Sequence, residues 1–328
     1  MRPVGYERPA DVRSAVGVLS RPGARALAGG TNLVDLMKVG VEAPEVLVDV
    51  NGLGLDAVEA LPDGGLRIGA GVRNSDLAAD VLVRTRYPVL ARALLSGASG
   101  QLRNMASVGG NLLQRTRCPY FMDATKPCNK REPGTGCPAR TGISRGLAVL
   151  GASEHCIATH PGDMAVALTA LGAVVRFEGP DGPGELPMPG FHRLPGDAPQ
   201  RDTELPPGAV ITAVDVPGLP YGPVSTYRKA RERASFAFAL VSVAAALDVA
   251  DGQVRDVRLA LGSVAHAPWR ARRAEEALRG RSATAASFRE AADAELEGAE
   301  PTTDNAYKVP LARRLLVGTL LELAGSGR

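Results

Sequence analysis

Cys118, Cys128, Cys137 and Cys156 are the only cysteines in this chain of 328 residues, and they fall within one stretch separated by gaps of nine, eight and eighteen residues. A thiolate can bind metal, attack as a nucleophile or pair as a disulfide. Disulfides would allow three connectivities, and structural zinc usually shows paired C-x₂₋₄-C spacings that are absent here. A single Fe–S cluster needs four thiolates converging from irregular backbone and tolerates wide gaps if a loop wraps around it. The spacing suits the cluster best and leaves the other two open. Seven basic residues (Arg115, Arg117, Lys126, Lys130, Arg131, Arg140, Arg145) share residues 115–145 with only Asp123 and Glu132, a net charge of +5. Thiolates need cationic or hydrogen-bond-donating surroundings, and this segment is expected to supply them. Pro119, Pro127, Pro133, Pro138, Gly134 and Gly136 exclude a regular helix or central strand there. The segment reads as a long functional loop.

Two glycine turns form the second candidate, Gly29-Gly30-Thr31-Asn32 and Ser107-Val108-Gly109-Gly110-Asn111. Glycine lets backbone N–H groups close around an anion, and a following helix start adds a favourable dipole. One such turn could be structural, but two leading out of apolar runs suit a diphosphate-bearing cofactor. Gly69-Ala70-Gly71 imitates the start of a dinucleotide fingerprint, yet Asn74 replaces its third glycine and no ribose-binding acid follows, so it is rejected. Lys229 is one of only five lysines and lies in an apolar neighbourhood, where either a surface or a cofactor role is open. His155 and His160 read as structural, His192 and His266 as isolated, and Trp269 with Arg270, Arg272 and Arg273 as an exposed helix start. No Ser/His/Asp pattern, HExxH motif or distinctive carboxylate pair is present.

The elements that must carry these residues follow from periodicity. Residues 26–38 read as strand, glycine turn and helix. Strands are expected at 45–50 and 66–70, helices at 76–84 (capped by Asn74 or Ser75) and 87–95, a helix at 164–171 opened by His160-Pro161-Gly162-Asp163, and a strand at 173–177. Residues 179–209 read as an irregular loop or meander. Beyond a boundary near Gly218–Pro223 come a hairpin, 240–249 and 254–264 about Ala250-Asp251-Gly252, and three helices near 270–279, 285–297 and 305–323. Hydrophobic residues at 45% and charged residues at 22% describe an ordinary globular chain, and a net charge of +3 gives no argument for nucleic acid or a membrane surface. No apolar run reaches the ~18 residues of a membrane span, and MRPVGYERPADVRS has no signal-peptide core.

Taken in order, Ala28-Gly29-Gly30-Thr31-Asn32-Leu33, Leu66-Arg67-Ile68-Gly69-Ala70 and Ser107-Val108-Gly109-Gly110-Asn111 resemble the FAD-binding medium subunit of the xanthine dehydrogenase/CO dehydrogenase family of molybdenum hydroxylases. The resemblance covers essentially the whole chain. The insert Arg117-Cys118-Pro119-Tyr120-Phe121 through Cys128, Cys137 and Glu154-His155-Cys156 is similar to the branch containing periplasmic aldehyde oxidoreductase, whose FAD subunit carries an additional 4Fe–4S cluster. The implied fold is α+β: a PCMH/vanillyl-alcohol-oxidase-type FAD-binding domain over 1–222, with the Fe–S loop at about 115–157, and a small α+β C-terminal domain over 223–328.

The resemblance implies that Ala26, Leu27, Ala28, Gly29, Gly30, Thr31, Asn32 and Leu33 form the pyrophosphate loop, and that Ser107, Gly109, Gly110 and Asn111 form a second phosphate-side turn. It implies that Asp163 and Lys229 stand by the FAD and that the four cysteines hold the 4Fe–4S cluster. An aromatic residue that some members place against the flavin would align near Gly97 and is missing. The implied role is electron transfer within a molybdenum-dependent aldehyde oxidoreductase. Its partners would be a large molybdopterin subunit and a small 2Fe–2S subunit, with ferredoxin or another acceptor downstream, and no residue of this chain would act catalytically on the aldehyde. The compartment would be cytoplasmic, or periplasmic by co-export with a partner bearing a twin-arginine signal. A hydroxybenzoyl-CoA reductase-like subunit, a stand-alone flavin oxidoreductase and a zinc-stapled binding module are the rival readings.

Overall fold

The computed structural model describes residues 3–326. Three short parallel strands, β1 (Gly5–Glu7), β2 (Ala24–Leu27) and β3 (Val46–Asp49), pair in the order β1-β3-β2. They carry the amphipathic helix Val12–Leu19, whose Asp11 side chain caps it by accepting from Ser14 N, and whose Ala15, Val16 and Val18 pack with Ala24, Val48 and Val210. A second, antiparallel sheet orders β4 (Val58–Ala60), β5 (Leu66–Gly69), β8 (Val210–Val216), β6 (Val174–Gly179) and β7 (Gly182–Pro187) as β4-β5-β8-β6-β7. A third orders β9 (Ser225–Ala230), β10 (Val241–Ala250), β11 (Gln253–Gly262) and β12 (Trp269–Arg270) as β12-β11-β10-β9. Helices Arg272–Leu278, Ala285–Leu296 and Lys308–Ser326 cover it through an apolar core that includes Phe288, Leu316 and Leu320. Mixed helix and sheet, as expected, is what the chain builds.

The helix Asp163–Leu171 is buried at every one of its residues, as an almost wholly apolar helix must be. It packs against the helix Pro88–Ser96 on one side and against β10 and β11 on the other. Its approach to the hairpin is close: a methyl group at Gly262 would lie 2.6 Å from Val166. Trp269 and Arg270 do not form the exposed helix start expected from their charge. Trp269 Nε1 donates to Glu295, and the Arg270 guanidinium donates to the Thr169 and Ala170 carbonyls at the C-terminal end of the buried helix, 2.8 and 2.6 Å away. A cation there complements the helix dipole.

Several expected boundaries move. The helix expected over 76–84 splits at Asp80, whose extended backbone and side chain instead cap Val81–Arg86 by accepting from Val83 N. The cap of the first half is Arg73, and Asn74 lies buried inside it. The expected meander after 179 contains β7, paired with β6 through a tight turn, and β8 is an internal strand of the sheet although no strand was expected there. Among the described residues no helix is long and apolar enough to cross a membrane.

Lys308 opens the last helix and is fully buried, with its ammonium donating to the carbonyls of Gly146, Leu147 and Ser263 at 2.9, 3.0 and 2.7 Å. Burial without a carboxylate pushes its pKa down to about 7. The folded chain therefore releases a proton that the unfolded chain keeps up to the ordinary lysine value. Stability should rise as pH increases from about 7 towards ~10.5. Lys308→Met should abolish this rise in urea titrations run across that range, and should cost about 1–3 kcal/mol at pH 7 by leaving the Ser263 carbonyl without its donor.

Candidate functional site

The first glycine turn leaves β2 at Leu27 and enters the helix Leu33–Lys38. Gly29 is forced: a methyl group there would stand 1.9 Å from the Met105 carbonyl oxygen. Gly30 takes a positive φ of 69°, which turns the chain towards the helix. Among the described residues the N–H groups of Gly29, Gly30, Thr31, Asn32 and Leu33 make no hydrogen bond. Five consecutive free donors form a concavity suited to an anion. Asn32 Oδ1 accepts from Arg115 N at 2.9 Å, which leaves its buried amide Nδ2 without a partner.

The second turn faces the first. Ser107 caps the short helix Val108–Leu112 through a bond from Gly110 N, and a methyl group at Gly110 would lie 3.8 Å from Ala28. The N–H of Gly109 is taken by the Ala70 carbonyl at 2.8 Å, so this glycine serves backbone packing rather than a free donor. The rejected Gly69-Ala70-Gly71 has the same use, since methyl groups at Gly69 and Gly71 would meet the Leu55 carbonyl oxygen. Asn111 Oδ1 accepts from Gln114 Nε2, and Gln114 in turn stands against Gly162, the residue before Asp163.

Asp163 and Lys229, distant in sequence, form a buried ion pair at 2.8 Å. The other carboxylate oxygen accepts from Tyr227 Oη at 2.5 Å, and Lys229 also donates to the Ser96 carbonyl. Burial raises the Asp163 carboxyl against the opposing pull of Lys229 and Tyr227, and burial together with the carboxylate holds the Tyr227 hydroxyl well above its ordinary value. Lys229 is thus no surface lysine. Gly97 lies beside this pair, where a methyl group would stand 3.2 Å from Asp163 Oδ2. Tyr227 was not singled out from sequence; its alternation with Lys229 on one strand is the signal that would have found it.

All four cysteine side chains line one small cavity, with Phe121 and Ala139 among its apolar walls. The loop that brings them together includes only the short helix Pro119–Met122 and a 3₁₀ turn, Pro138–Arg140. Asn129 pins it by donating to the His155 carbonyl and accepting from Gly136 N at 2.7 Å, and Arg131 donates to the Tyr120 and Phe121 carbonyls. Of the expected surroundings the hydrogen-bonding part is present, with Ala158 N donating to Cys156 Sγ at 3.4 Å, while the loop's arginines turn away from the thiols. Arg115 pairs with Glu42 and Asp202, Arg117 with Asp35, Arg140 with Glu154 and Arg145 with Glu232. Burial therefore dominates, and pushes the Cys118 thiol up to about 11 and the Cys156 thiol up to about 12. The cysteines are free thiols. Among the described residues no three His, Cys, Asp or Glu side chains are grouped to share a single metal ion.

The histidines divide. His155 is exposed, and His160 and His192 pack ring against ring at 4.3 Å, with His160 Nδ1 accepting from Gly162 N. Burial holds both of these buried rings below the usual histidine range, which fits neutral structural residues. His266, expected to be isolated, instead accepts from the buried Lys130.

Two family models match the chain: a FAD binding domain in molybdopterin dehydrogenase over residues 2–219 and a CO dehydrogenase flavoprotein C-terminal domain over residues 225–323. The aldehyde oxidoreductase FAD-binding subunit PaoB of Escherichia coli (strain K12) is 52% identical over 98% of each chain. The carbon monoxide dehydrogenase medium chain of Hydrogenophaga pseudoflava is 27% identical over 91% of this chain and 88% of its own. A solved carbon monoxide dehydrogenase from Hydrogenophaga pseudoflava matches with a TM-score of 0.77 and 27% identity over 99% of both chains. Quinoline 2-oxidoreductase from Pseudomonas putida 86 shares the fold at a TM-score of 0.76, covering 99% of this chain and 98% of its own.

Replacing Lys229 by Met should leave Asp163 buried without its counter-charge and cost ~3–5 kcal/mol. The folded carboxyl would then bind its proton more tightly than the unfolded one, so the variant's stability should fall as pH rises from ~5 to ~8. Denaturation midpoints across that range test this, with wild type showing a much weaker slope.

Proposed function

Because the chain belongs to the FAD-binding medium-subunit family of the molybdenum hydroxylases, we propose that it is the electron-transfer flavoprotein subunit of a molybdenum-dependent aldehyde oxidoreductase and that its cysteine loop holds a 4Fe–4S cluster. The aldehyde class is supported by the 52% identity to an aldehyde oxidoreductase subunit across the whole chain, which also favours it over a hydroxybenzoyl-CoA reductase-like or stand-alone flavin enzyme. In this reading residues 1–222 form the FAD-binding domain and 223–328 the C-terminal domain. A large molybdopterin subunit and a small 2Fe–2S subunit complete the enzyme.

The observation that carries the flavin site is the run of five free N–H groups from Gly29 to Leu33, with the unpartnered amide of Asn32 beside it. These donors would hold the pyrophosphate, with Ala26 and Leu27 of β2, followed by Ala28, presenting them. Ser107, Gly109, Gly110 and Asn111 would close the facing side, where Gly109 contributes packing. Asp163 and Lys229, fixed against each other, would set the charge and hydrogen bonding next to the flavin. FAD, when bound, supplies two-electron and one-electron redox chemistry, while the protein orients it and sets its electrostatic surroundings.

The cluster is supported by the convergence of Cys118, Cys128, Cys137 and Cys156 on one cavity from an irregular loop. Thiols raised by burial bind iron only by losing protons, so loading should release protons and should be favoured by rising pH.

Purified complex should contain about four iron and four sulfide per FAD beyond the content of its partner subunits. Flavin without that iron would remove the cluster, and absence of flavin would remove the whole reading. Asn32→Asp keeps the acceptor for Arg115 N but loses the free amide donor. It should weaken FAD binding about tenfold in equilibrium titration, ~1.4 kcal/mol.

A further inference from the structure

Lys130 lies between Cys128 and Cys137 and lines the cysteine cavity, yet its side chain is only 1% exposed. Its ammonium is saturated. It donates to the Pro199 carbonyl at 2.8 Å, to His266 Nε2 at 2.7 Å and to Asp202 Oδ1. His266 can accept because its Nδ1–H is committed to the Arg193 carbonyl at 2.7 Å. Asp202 is shared: its second oxygen accepts from Arg115 Nε at 2.9 Å, and Arg115 pairs with Glu42 in turn. The network holds three cations, Lys130, Arg115 and Arg25 (3.7 Å from Glu42), and two anions, Asp202 and Glu42, and it is ordered, with Lys130 among the cavity's lining residues and Asp202 outside them. Arg115, Arg117, Arg140 and Arg145 pair with carboxylates and Arg131 with the Tyr120 and Phe121 carbonyls, so Lys130 is the buried ammonium among the residues that line the cavity.

We propose that Lys130 is a positioning residue that raises the reduction potential of the group held by the four cysteines, with Asp202 as the counter-charge that limits the effect. This rests on the cluster reading. An oxidised 4Fe–4S core with four thiolates carries two negative charges, and taking up one electron makes three. A fixed, desolvated cation beside it stabilises the reduced form more than the oxidised form, and net charge near the cluster is one of the quantities that set its potential.

The test is a dithionite titration of the assembled complex, followed by EPR at temperatures that separate 4Fe–4S from 2Fe–2S signals, with iron and sulfide measured on each sample. Dithionite supplies the single electron. Lys130→Met should lower the midpoint, with about a tenfold shift in the oxidised-to-reduced ratio at fixed potential, ~59 mV for a one-electron couple. Asp202→Asn should raise it, because Lys130 then stands without its counter-charge. Opposite shifts at full iron content support the proposal. Unchanged midpoints, or shifts of the same sign, overturn it and leave Lys130 as a structural latch. If Lys130→Met does not assemble, the sign in Asp202→Asn decides alone: a rise supports, a fall or no change overturns. A wild-type complex without the extra iron would instead fail the cluster reading, which the iron assay separates from the potential.

Discussion

The requirement that a buried carboxylate find a cation organises this molecule. Asp163 begins a helix with no exposed residue, in a place where an unpaired charge would cost several kcal/mol. Lys229 and Tyr227 meet it from β9, and Lys229 also reaches the carbonyl of Ser96 at the end of Pro88–Ser96. The pair therefore joins the third sheet to the helices Asp163–Leu171 and Pro88–Ser96. At the other end of the same helix Arg270 takes up the last carbonyls, again from the third sheet. Both ends of one helix are thus satisfied by residues more than sixty positions away. Gln114, which donates to Asn111 Oδ1, stands against Gly162 at the start of this helix.

The cysteine loop is solved by a different economy of polar groups. Its arginines do not surround the thiols; they hold backbone carbonyls and distant carboxylates that a loop without regular secondary structure leaves open. The thiols are then enclosed by apolar side chains, and Cys156 leads through six residues of chain to Asp163. The ion network of Lys130, Asp202, Arg115 and Glu42 ties the loop to the meander and to the chain that follows the helix Leu33–Lys38.

Legibility followed the locality of the signal. The turn at Gly29–Asn32, the hairpin about Asp251-Gly252 and the irregularity of the cysteine loop rest on glycine, proline and alternation within a few residues, and they were read correctly in kind. Helix breaks such as Asp80 and internal strands such as β8 depend on what packs across them, and they were misplaced or missed. The charge of the loop was counted correctly, but its direction was not: +5 in sequence says nothing about which carbonyl each guanidinium will reach.

What the sequence determined by itself is therefore the inventory: four thiols in one loop, two glycine turns, a lone lysine in an apolar stretch, and the family pattern that joins them. What only the tertiary structure decided is the pairing. Asp163 with Lys229, Lys130 with His266 and Asp202, and the unpartnered Asn32 amide are separations of dozens of residues closed by burial. Desolvation makes each such contact obligatory once the chain is folded, and no local pattern records it.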